Sequence, residues 1–202
     1  EERHKIGVQK FINIVHEAGF IYKKHYEGRY CQGCEEFKIE GVCENHPNEV
    51  VDRNEENDFF SLSLFKDLAL DFITKLEIVP ESRFNEIKNV INNDLQDISI
   101  SRKNQGWGIP IPWDESQVIY VWFDALLSYL TGIGFGTDEE KFNGLWKNSC
   151  HFIGKDITRF HCVLFPAMIE AYNQGSDKKI KYPKKVFSHG FIIQKKDDEL
   201  IN

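Results

Sequence analysis

The stretch His151-Phe-Ile-Gly-Lys-Asp-Ile157 decides the fold, because a short apolar run leads directly into a glycine and then a helical pattern. Two comparable runs are Val118-Ile-Tyr-Val121 and Lys185-Val-Phe-Ser188. Short apolar runs separated by helical patterns are typical of strands buried on both faces of a parallel sheet. We expect helices over 123–131 and 157–173 after the first two runs. This β-α-β-α-β order predicts an open α/β sheet, with ligands at the carboxyl ends of its strands.

In the preceding half of the chain, the sequence predicts a helix and a strand, followed by a more polar stretch. A helical rhythm over 2–19 stops at Gly19, and residues 20–30 suit a strand. The stretch 47–58 is polar and acidic. Two further helices are predicted, one starting at an N-cap residue, Ser61, and ending before Pro80, the other marked by Phe84, Ile87, Ile91 and Leu95.

A cysteine and histidine pattern of the form C-x2-C-x8-C-x2-H indicates a metal site in the polar region. Its members are Cys31, Cys34, Cys43 and His46. Three thiols and an imidazole form a closed tetrahedral zinc site, which holds a fold rather than acting on a substrate. We expect Gly33 to adopt the unusual backbone angles that a tight turn between two ligands needs.

Other interpretations of this pattern stay open at the level of sequence. The thiols could be ordinary cytosolic cysteines, and soft sulfur ligands also accept iron or form redox pairs. His25 lies close enough in sequence to replace His46 as the fourth ligand.

Composition sets broad limits on the class of protein. With 202 residues, 41% hydrophobic and 28% charged, the chain has the balance of a globular protein of one or two domains. Neither a membrane span nor a secretory signal is recognisable, and the odd count of 5 cysteines favours a reducing compartment, so a cytoplasmic location is expected. The net charge of -7 argues against general binding of DNA or RNA. A lysine cluster around Pro183 is typical of a solvated loop.

Several longer segments together resemble methionyl-tRNA synthetases, a class I family. They are Asp97-Ile-Ser-Ile-Ser-Arg102, Trp107-Gly-Ile-Pro-Ile-Pro112, Val118-Ile-Tyr-Val-Trp-Phe-Asp-Ala125, His151-Phe-Ile-Gly-Lys-Asp-Ile157, Arg159-Phe-His161, Pro166-Ala167 and Lys185-Val-Phe-Ser-His-Gly190. The cysteine pattern is similar to the zinc knuckle of the same family. The resemblance covers nearly the whole chain in order.

The resemblance implies three regions and a reaction. Residues 1–26 would end the first half of the catalytic domain, 27–96 would be a connective insertion with the zinc knuckle, and 97–202 would be the second half of the Rossmann-type domain. The family activates methionine with ATP and Mg²⁺ to methionyl-adenylate and transfers it to tRNA(Met). The family's HIGH and KMSKS motifs are absent from this sequence, so the chain is expected to be an inactive middle segment without catalytic residues of its own.

The resemblance also implies binding residues. Those expected around the methionine side chain are Trp122, Ala125, Leu126, Tyr129, Ile157 and His161. Those expected near ATP are Arg102, Gly154, Asp156, His189, Gly190 and Ile192. From the residues alone, each set has a plainer explanation: an aromatic helix face or a buried histidine belongs to a core, and a glycine and an aspartate after a strand form an ordinary turn. Arg102 could equally stabilise the insertion hinge or form a surface ion pair.

Two rival functions remain, and one local expectation follows. The chain could be a non-catalytic zinc module that binds tRNA or protein, or part of a class I synthetase for another aliphatic amino acid. Pro166 falls inside the predicted helix 157–173, where a missing N–H should cause a kink that turns His161 toward the site.

Overall fold

The structure is a computed structural model that describes residues 1–33, 36–38, 42–43, 46–93, 95–191, 194–196 and 199–201. Within these ranges the α-helices are α1 (Glu2–Glu17), α2 (Lys66–Lys75), α3 (Ser82–Asn92), α4 (Val121–Thr131), α5 (Glu139–Trp146) and α6 (Phe165–Gly175). The strands are β1 (Ile21–Cys31), β2 (Glu36–Lys38), β3 (Val50–Phe60), β4 (Glu77–Val79), β5 (Ile98–Ser99), β6 (Ser101–Lys103), β7 (Pro110–Ile111), β8 (Asp114–Ile119), β9 (Cys150–Gly154), β10 (Lys185–His189), β11 (Gln194–Lys196) and β12 (Glu199–Ile201).

A parallel sheet of order β4-β10-β9 carries the edge where ligands are expected. Strand β10 lies in the middle, and its Val186 and Ser188 are fully buried. The register sets His189 beside Gly154, so both strands end at the same height. The strands predicted over 151–153 and 185–188 are confirmed.

The strand predicted over Val118–Val121 as part of this parallel sheet is wrong. Strand β8 ends at Ile119, and its pairing with β6 and β7 is antiparallel, in a separate sheet. Tyr120 has an extended backbone conformation, and α4 begins at the next residue, Val121. The third parallel strand is β4, whose three residues are too few to give a periodic signal.

Strands β1 and β3 form a long antiparallel ribbon that includes most of the acidic stretch 47–58. The pairing runs from Ile21 opposite Phe60 to Cys31 opposite Val50. At the base, Ile21 and Phe60 are buried in the main core. The middle of the ribbon is largely exposed, which explains why its β3 sequence is polar rather than alternating.

The main core lies between α1, α4 and α6. In α1, Val8, Phe11, Ile12 and Val15 are fully buried, as the spacing of three and four residues predicts. The Phe11 ring stacks on Tyr172 of α6 with centroids 4.9 Å apart. Helix α1 ends as expected, since Ala18 caps it and Gly19 takes a φ of 82°.

Two helix starts differ from the sequence-based expectation. Ser61 makes no side-chain capping hydrogen bond; a 3₁₀ turn, Leu62–Phe65, follows it, and α2 begins only at Lys66. The helix predicted over 157–173 is instead a 3₁₀ turn, a π-helical turn over Phe160–Leu164 and then α6. Pro166 lies in the first turn of α6, where a proline is tolerated, and His161 lies in the π-helical turn.

Candidate functional site

Three of the four predicted metal ligands meet at the distal end of the ribbon. The ligand atoms of Cys31, Cys43 and His46 all lie within 4.8 Å of one another, and Cys43 Sγ is 4.0 Å from His46 Nδ1. Ligands of a tetrahedral zinc ion with bonds of about 2.0 to 2.3 Å lie roughly 3.6 to 3.8 Å apart. Cys31 and Cys43 are buried, and neither belongs to the main core that the described residues form. The donor set and its spacing therefore fit a zinc ion.

Cys34, the fourth predicted ligand, lies outside the described residues. His25 does not replace His46. It precedes Cys31 by six positions on the extended strand β1, a distance of about 20 Å.

Gly33 is required by space rather than by backbone angle. Its φ is not among the positive values, so the predicted unusual conformation is wrong. A Cβ at this position would lie 2.5 Å from Glu49 Oε2 and 2.6 Å from the His46 ring. The turn is closed by hydrogen bonds from Gln32 N to Glu49 O (2.9 Å) and from Glu49 N to His46 O (3.1 Å). A side chain at position 33 would therefore displace the His46 imidazole.

The predicted ATP residues Gly154, Asp156 and His189 lie together at the carboxyl edge of the parallel sheet. A Cβ on Gly154 would be 2.7 Å from Asp156 Oδ1 and 3.9 Å from His189 Cε1. The turn is tied to β10 by the buried pair of hydroxyls, Thr158 Oγ1 and Ser188 Oγ, at 2.7 Å. Asp156, His189 and Gly190 are exposed. This edge therefore presents a carboxylate and an imidazole, and Gly154 is required because the Asp156 carboxylate occupies the space that a Cβ would take.

Arg102 contacts Ser99, Ser101 and Tyr120 and also approaches the ribbon near its distal end. Its Nη1 donates to Ser99 Oγ and to Ser101 O, both at 2.8 Å, and its guanidinium lies 4.3 Å from the Tyr120 ring centroid. The guanidinium also lies 5.8 Å from the Tyr30 ring on β1. These contacts match the hinge alternative for Arg102. Ile192 lies outside the described residues.

The hydrogen bonds of His161 fix the orientation of a polar pair. His161 Nδ1 is 3.0 Å from the Ile157 carbonyl, which can only accept, so Nδ1 carries the hydrogen of the neutral ring. His161 Nε2 is then an acceptor, and the Tyr129 hydroxyl, 2.9 Å away, donates to it. Two of the predicted methionine residues are therefore in direct contact, and a third supplies the carbonyl that orients them.

Trp122 lies on the same helix as Tyr129, α4. Its indole stacks on Phe160 with centroids 4.3 Å apart and planes 8° from parallel. Trp122, Ala125 and Ile157 are half-buried, whereas Leu126 is 1% exposed and belongs to the main core. The helical spacing thus brings the aromatic residues to one wall but turns Leu126 inward.

His151 is a buried neighbour of this pair that the sequence reading did not assign to the site. Its ring lies 4.4 Å from the Tyr129 centroid and 5.4 Å from the His161 centroid. Among the described residues, His151 Nδ1 has no hydrogen-bond partner. In sequence it is an ordinary strand residue, and only the packing of α4 on β9 brings it to Tyr129.

Burial keeps this group of rings uncharged. Desolvation, together with a smaller effect of the neighbouring His161, lowers the pKa of His151 to about 4. Desolvation also lowers the pKa of His161 and raises the pKa of the Tyr129 hydroxyl. At neutral pH the wall is therefore aromatic, polarisable and without net charge.

A second missed contact anchors α4. His4 of α1 bridges two of its residues, with Nδ1 2.7 Å from Thr131 Oγ1 and Nε2 2.7 Å from Asp124 Oδ1. Asp124 belongs to the Trp-Phe-Asp-Ala segment, so this bridge fixes the helix that carries Trp122 and Tyr129. Positions so far apart in sequence gave no signal for it.

Comparison with known sequences decides the family. Residues 38–198 match the profile described as tRNA synthetases class I (M). The chain belongs to this class I tRNA synthetase family. Curated relatives named methionine--tRNA ligase include the protein of Streptomyces coelicolor, 39% identical over 96% of this chain, and that of a Nostoc species, 43% identical over 95%. A relative from Arabidopsis thaliana is named chloroplastic/mitochondrial and is 39% identical over 96% of this chain.

Solved structures of the family give the same result for the fold. The crystal structure of Mycobacterium tuberculosis methionyl-tRNA synthetase bound by methionyl-adenylate has a TM-score of 0.84 and 33% identity, and covers 95% of this chain and 39% of its own. The apo form of that enzyme has a TM-score of 0.81 and 34% identity, over 93% of this chain and 39% of its own. The fold of a class I catalytic domain with its parallel sheet is thus confirmed. The chain spans 38% of the Streptomyces relative and 32% of the Arabidopsis relative.

In the part of the chain that the structure describes, no helix has the length and apolar character needed to cross a membrane.

Proposed function

We propose that this chain forms the part of a methionine–tRNA ligase that binds the methionine side chain and the ribose of ATP. The observation that carries the proposal is the neutral Tyr129–His161 pair beside the Trp122 indole, next to the carboxyl edge of the parallel sheet. Support also comes from the relatives, which are named for this activity, and from the similar crystal structure bound by methionyl-adenylate.

In the proposed reaction, the methionine carboxylate attacks the α-phosphorus of ATP, the bond to pyrophosphate breaks, and methionyl-adenylate forms. A hydroxyl of the terminal tRNA ribose then takes the methionyl group and AMP leaves. The carboxylate is already a nucleophile at neutral pH, so the rate depends on positioning and on stabilising phosphate charge. We assign Asp156 and the close approach at Gly154 to the ribose, and His189 with Gly190 and Ile192 to the adenine. ATP and Mg²⁺ would be the substrate and cofactor of the whole enzyme.

The wall around Tyr129 suits a thioether because it offers aromatic surface and no charge. Contact between a thioether sulfur and an aromatic ring contributes about 0.3–1.5 kcal/mol. A protonated His161 would need a counter-charge that a methionine side chain does not provide. We therefore propose that Trp122, Ala125, Tyr129 and Ile157 shape the slot, that His161 orients Tyr129, and that Leu126 supports the wall from the core.

Cys31, Cys34, Cys43 and His46 would hold a zinc ion in this proposal. Bound there, the ion would cross-link the ends of β1 and β3, and four protein ligands would leave no coordination position for a substrate. Arg102 would join the ribbon to the rest of the domain through Ser99, Ser101 and Tyr120.

A chimera tests the proposed specificity. We would substitute residues 1–202 for the matching segment of Mycobacterium tuberculosis methionyl-tRNA synthetase and measure pyrophosphate exchange with methionine, leucine, isoleucine and valine. We expect a preference for methionine of about 100-fold or more, because the competing side chains differ from it in shape and polarisability. A different best substrate would support the rival synthetase, and a folded chimera without exchange would support the non-catalytic zinc module.

Site variants of the same chimera test the assigned residues. Trp122→Ala and His161→Ala should raise the KM for methionine by about 10-fold or more while the KM for ATP changes little, because Trp122 shapes the slot for the side chain and His161 orients Tyr129 in that slot. Leu64→Ala is the matched control, since Leu64 is 70% exposed and lies in a different region. Equal effects on both substrates would contradict the assignment.

A further inference from the structure

Trp107 is the most exposed of the large hydrophobic side chains that the structure describes, at 86%. It lies between Gly106, with a φ of 89°, and Gly108, with a φ of 114°. Both values fall in the region that favours glycine, so the backbone here is shaped to turn sharply on either side of one indole.

The turn that presents Trp107 is held firmly. The Asn104 side chain accepts from Gly106 N at 2.8 Å and donates to Glu115 O at 3.0 Å, and Asn104 N donates to Ser116 O at 2.8 Å. On the other side, a Cβ at Gly108 would be 3.0 Å from the Val118 side chain. The loop therefore packs on β8, and the indole is displayed from an ordered support.

The position of the turn limits the distance between Trp107 and the candidate site. Ile109, two residues later, accepts a hydrogen bond from Ile119 N at 2.8 Å. Trp122 follows Ile119 by three residues. Backbone lengths therefore put Trp107 at most about 25 Å from Trp122, at the end of β8 from which α4 begins.

An exposed cation, Lys103, precedes the indole by four residues. Lys103, at the end of β6, is exposed and makes no ion pair with any residue that the structure describes. Glu115 is the exposed acidic residue on the neighbouring strand, and the chain as a whole has a net charge of -7. An extended duplex would meet net repulsion on such a surface, whereas one base and one phosphate match one indole and one ammonium group.

We propose that Trp107 is a stacking platform for an unpaired base in the 3′ end of tRNA, with Lys103 contacting the adjoining phosphate. The inference rests on the proposed function, in which the terminal ribose of tRNA must reach the methionyl group beside Trp122. The single-stranded end of tRNA approaches this site before any other part of the molecule does. An indole stacks on every base, so the contact would guide the strand without reading its sequence.

The experiment measures binding of the 202-residue protein to a fluorescent RNA minihelix that carries or lacks a single-stranded ACCA end. Trp107→Ala should weaken binding of the ACCA form by about 5- to 100-fold, the range for loss of one base–aromatic stack. Trp107→Tyr should retain binding within about 3-fold because it keeps a stacking ring. Lys103→Gln should reduce the slope of log affinity against log salt by about 0.7. Leu64→Ala is the control for an exposed apolar side chain elsewhere.

The outcomes separate this inference from the proposed function. Equal affinity of the parent and Trp107→Ala for the ACCA form would overturn the inference, as would an equal loss with the form that lacks ACCA. A loss with Trp107→Tyr as large as with Trp107→Ala would also contradict stacking. Methionine specificity is measured in the chimera by pyrophosphate exchange without tRNA, so failure of the RNA test leaves that result unaffected.

Discussion

The distal end of the ribbon and the carboxyl edge of the parallel sheet are stabilised in different ways. At the distal end, Cys31 and Cys43 are buried against a histidine rather than within an apolar core. At the sheet edge, the site residues rest on helices whose inner faces are fully buried, such as α1 and α6. In the proposed function the first region depends on a bound zinc ion, whereas the second depends on packing, so each should be breakable without the other.

Removing a metal ligand should produce the largest effect, confined to the distal ribbon. Cys43→Ser leaves too few ligands for a closed site, and structural zinc binding is worth on the order of 10 kcal/mol. We expect loss of zinc by elemental analysis and loss of hydrogen-exchange protection near Cys31 and Val50, with β9 and β10 unchanged. Cys150→Ser is the control, because Cys150 is an exposed thiol on the parallel sheet. Equal loss of protection in β10 would show that the two regions are one cooperative unit.

Truncating a side chain of the main core should destabilise the packed region and leave the zinc content unchanged. Phe11 is fully buried and stacks on Tyr172, so Phe11→Ala should lower the free energy of unfolding by about 3–5 kcal/mol. Chemical denaturation monitored on the helices measures this loss. Zinc content should stay at the parent level under native conditions. Loss of zinc from a variant that is still folded would contradict the separation of the two regions.

Acid should destabilise the sheet edge through its buried histidines. His151 has a pKa of about 4 when folded and an ordinary value near 6.5 when unfolded, so the unfolded state takes up a proton first as pH falls. Stability should be highest above pH 6.5 and fall by roughly 3 kcal/mol between pH 6.5 and 4 from this residue. His161, also lowered, adds in the same direction. In His151→Phe the free energy of unfolding should decline less steeply as pH falls. An unchanged dependence on pH, measured by denaturation curves at several pH values, would contradict this account.

The smallest predicted effect concerns the space beside His46. Gly33→Ala adds a methyl group 2.6 Å from the His46 ring, so the imidazole must shift. We expect zinc affinity to fall by about 10-fold, as for other changes that disturb ligand orientation. Competition with a chelator measures it. Gly144→Ala is a suitable control because a Cβ at that position meets no atom within 4 Å.

The elements that local sequence patterns determine could be predicted from the sequence. Helix α1 has a strong apolar period and a glycine end, and β9 and β10 are apolar runs with clear boundaries, so their positions were predictable. The direction of β8 was not, since an apolar run looks the same in a parallel and an antiparallel sheet. Strand β4 is too short to stand out, and β3 is polar because the ribbon it forms is mostly exposed.

The site was predictable to the extent that resemblance named its residues. Tyr129 and His161 were expected together, and they share a hydrogen bond. The support behind them was not visible, because His151 reaches Tyr129 only through tertiary packing, and the bridge from His4 to Asp124 joins positions far apart in the chain. The role of Gly33 was misjudged because crowding depends on where the His46 ring lies.

The orientation of His161 toward Tyr129 depends on the number of residues in the π-helical turn over Phe160–Leu164. Such a turn amounts to one extra residue within a helix, and each residue of an α-helix advances the chain by about 100° around the axis. Deleting a single residue between His161 and α6 would allow a regular helix to form. The imidazole would then rotate away from Tyr129 by about that angle, while every side chain of α6 kept its place in the core.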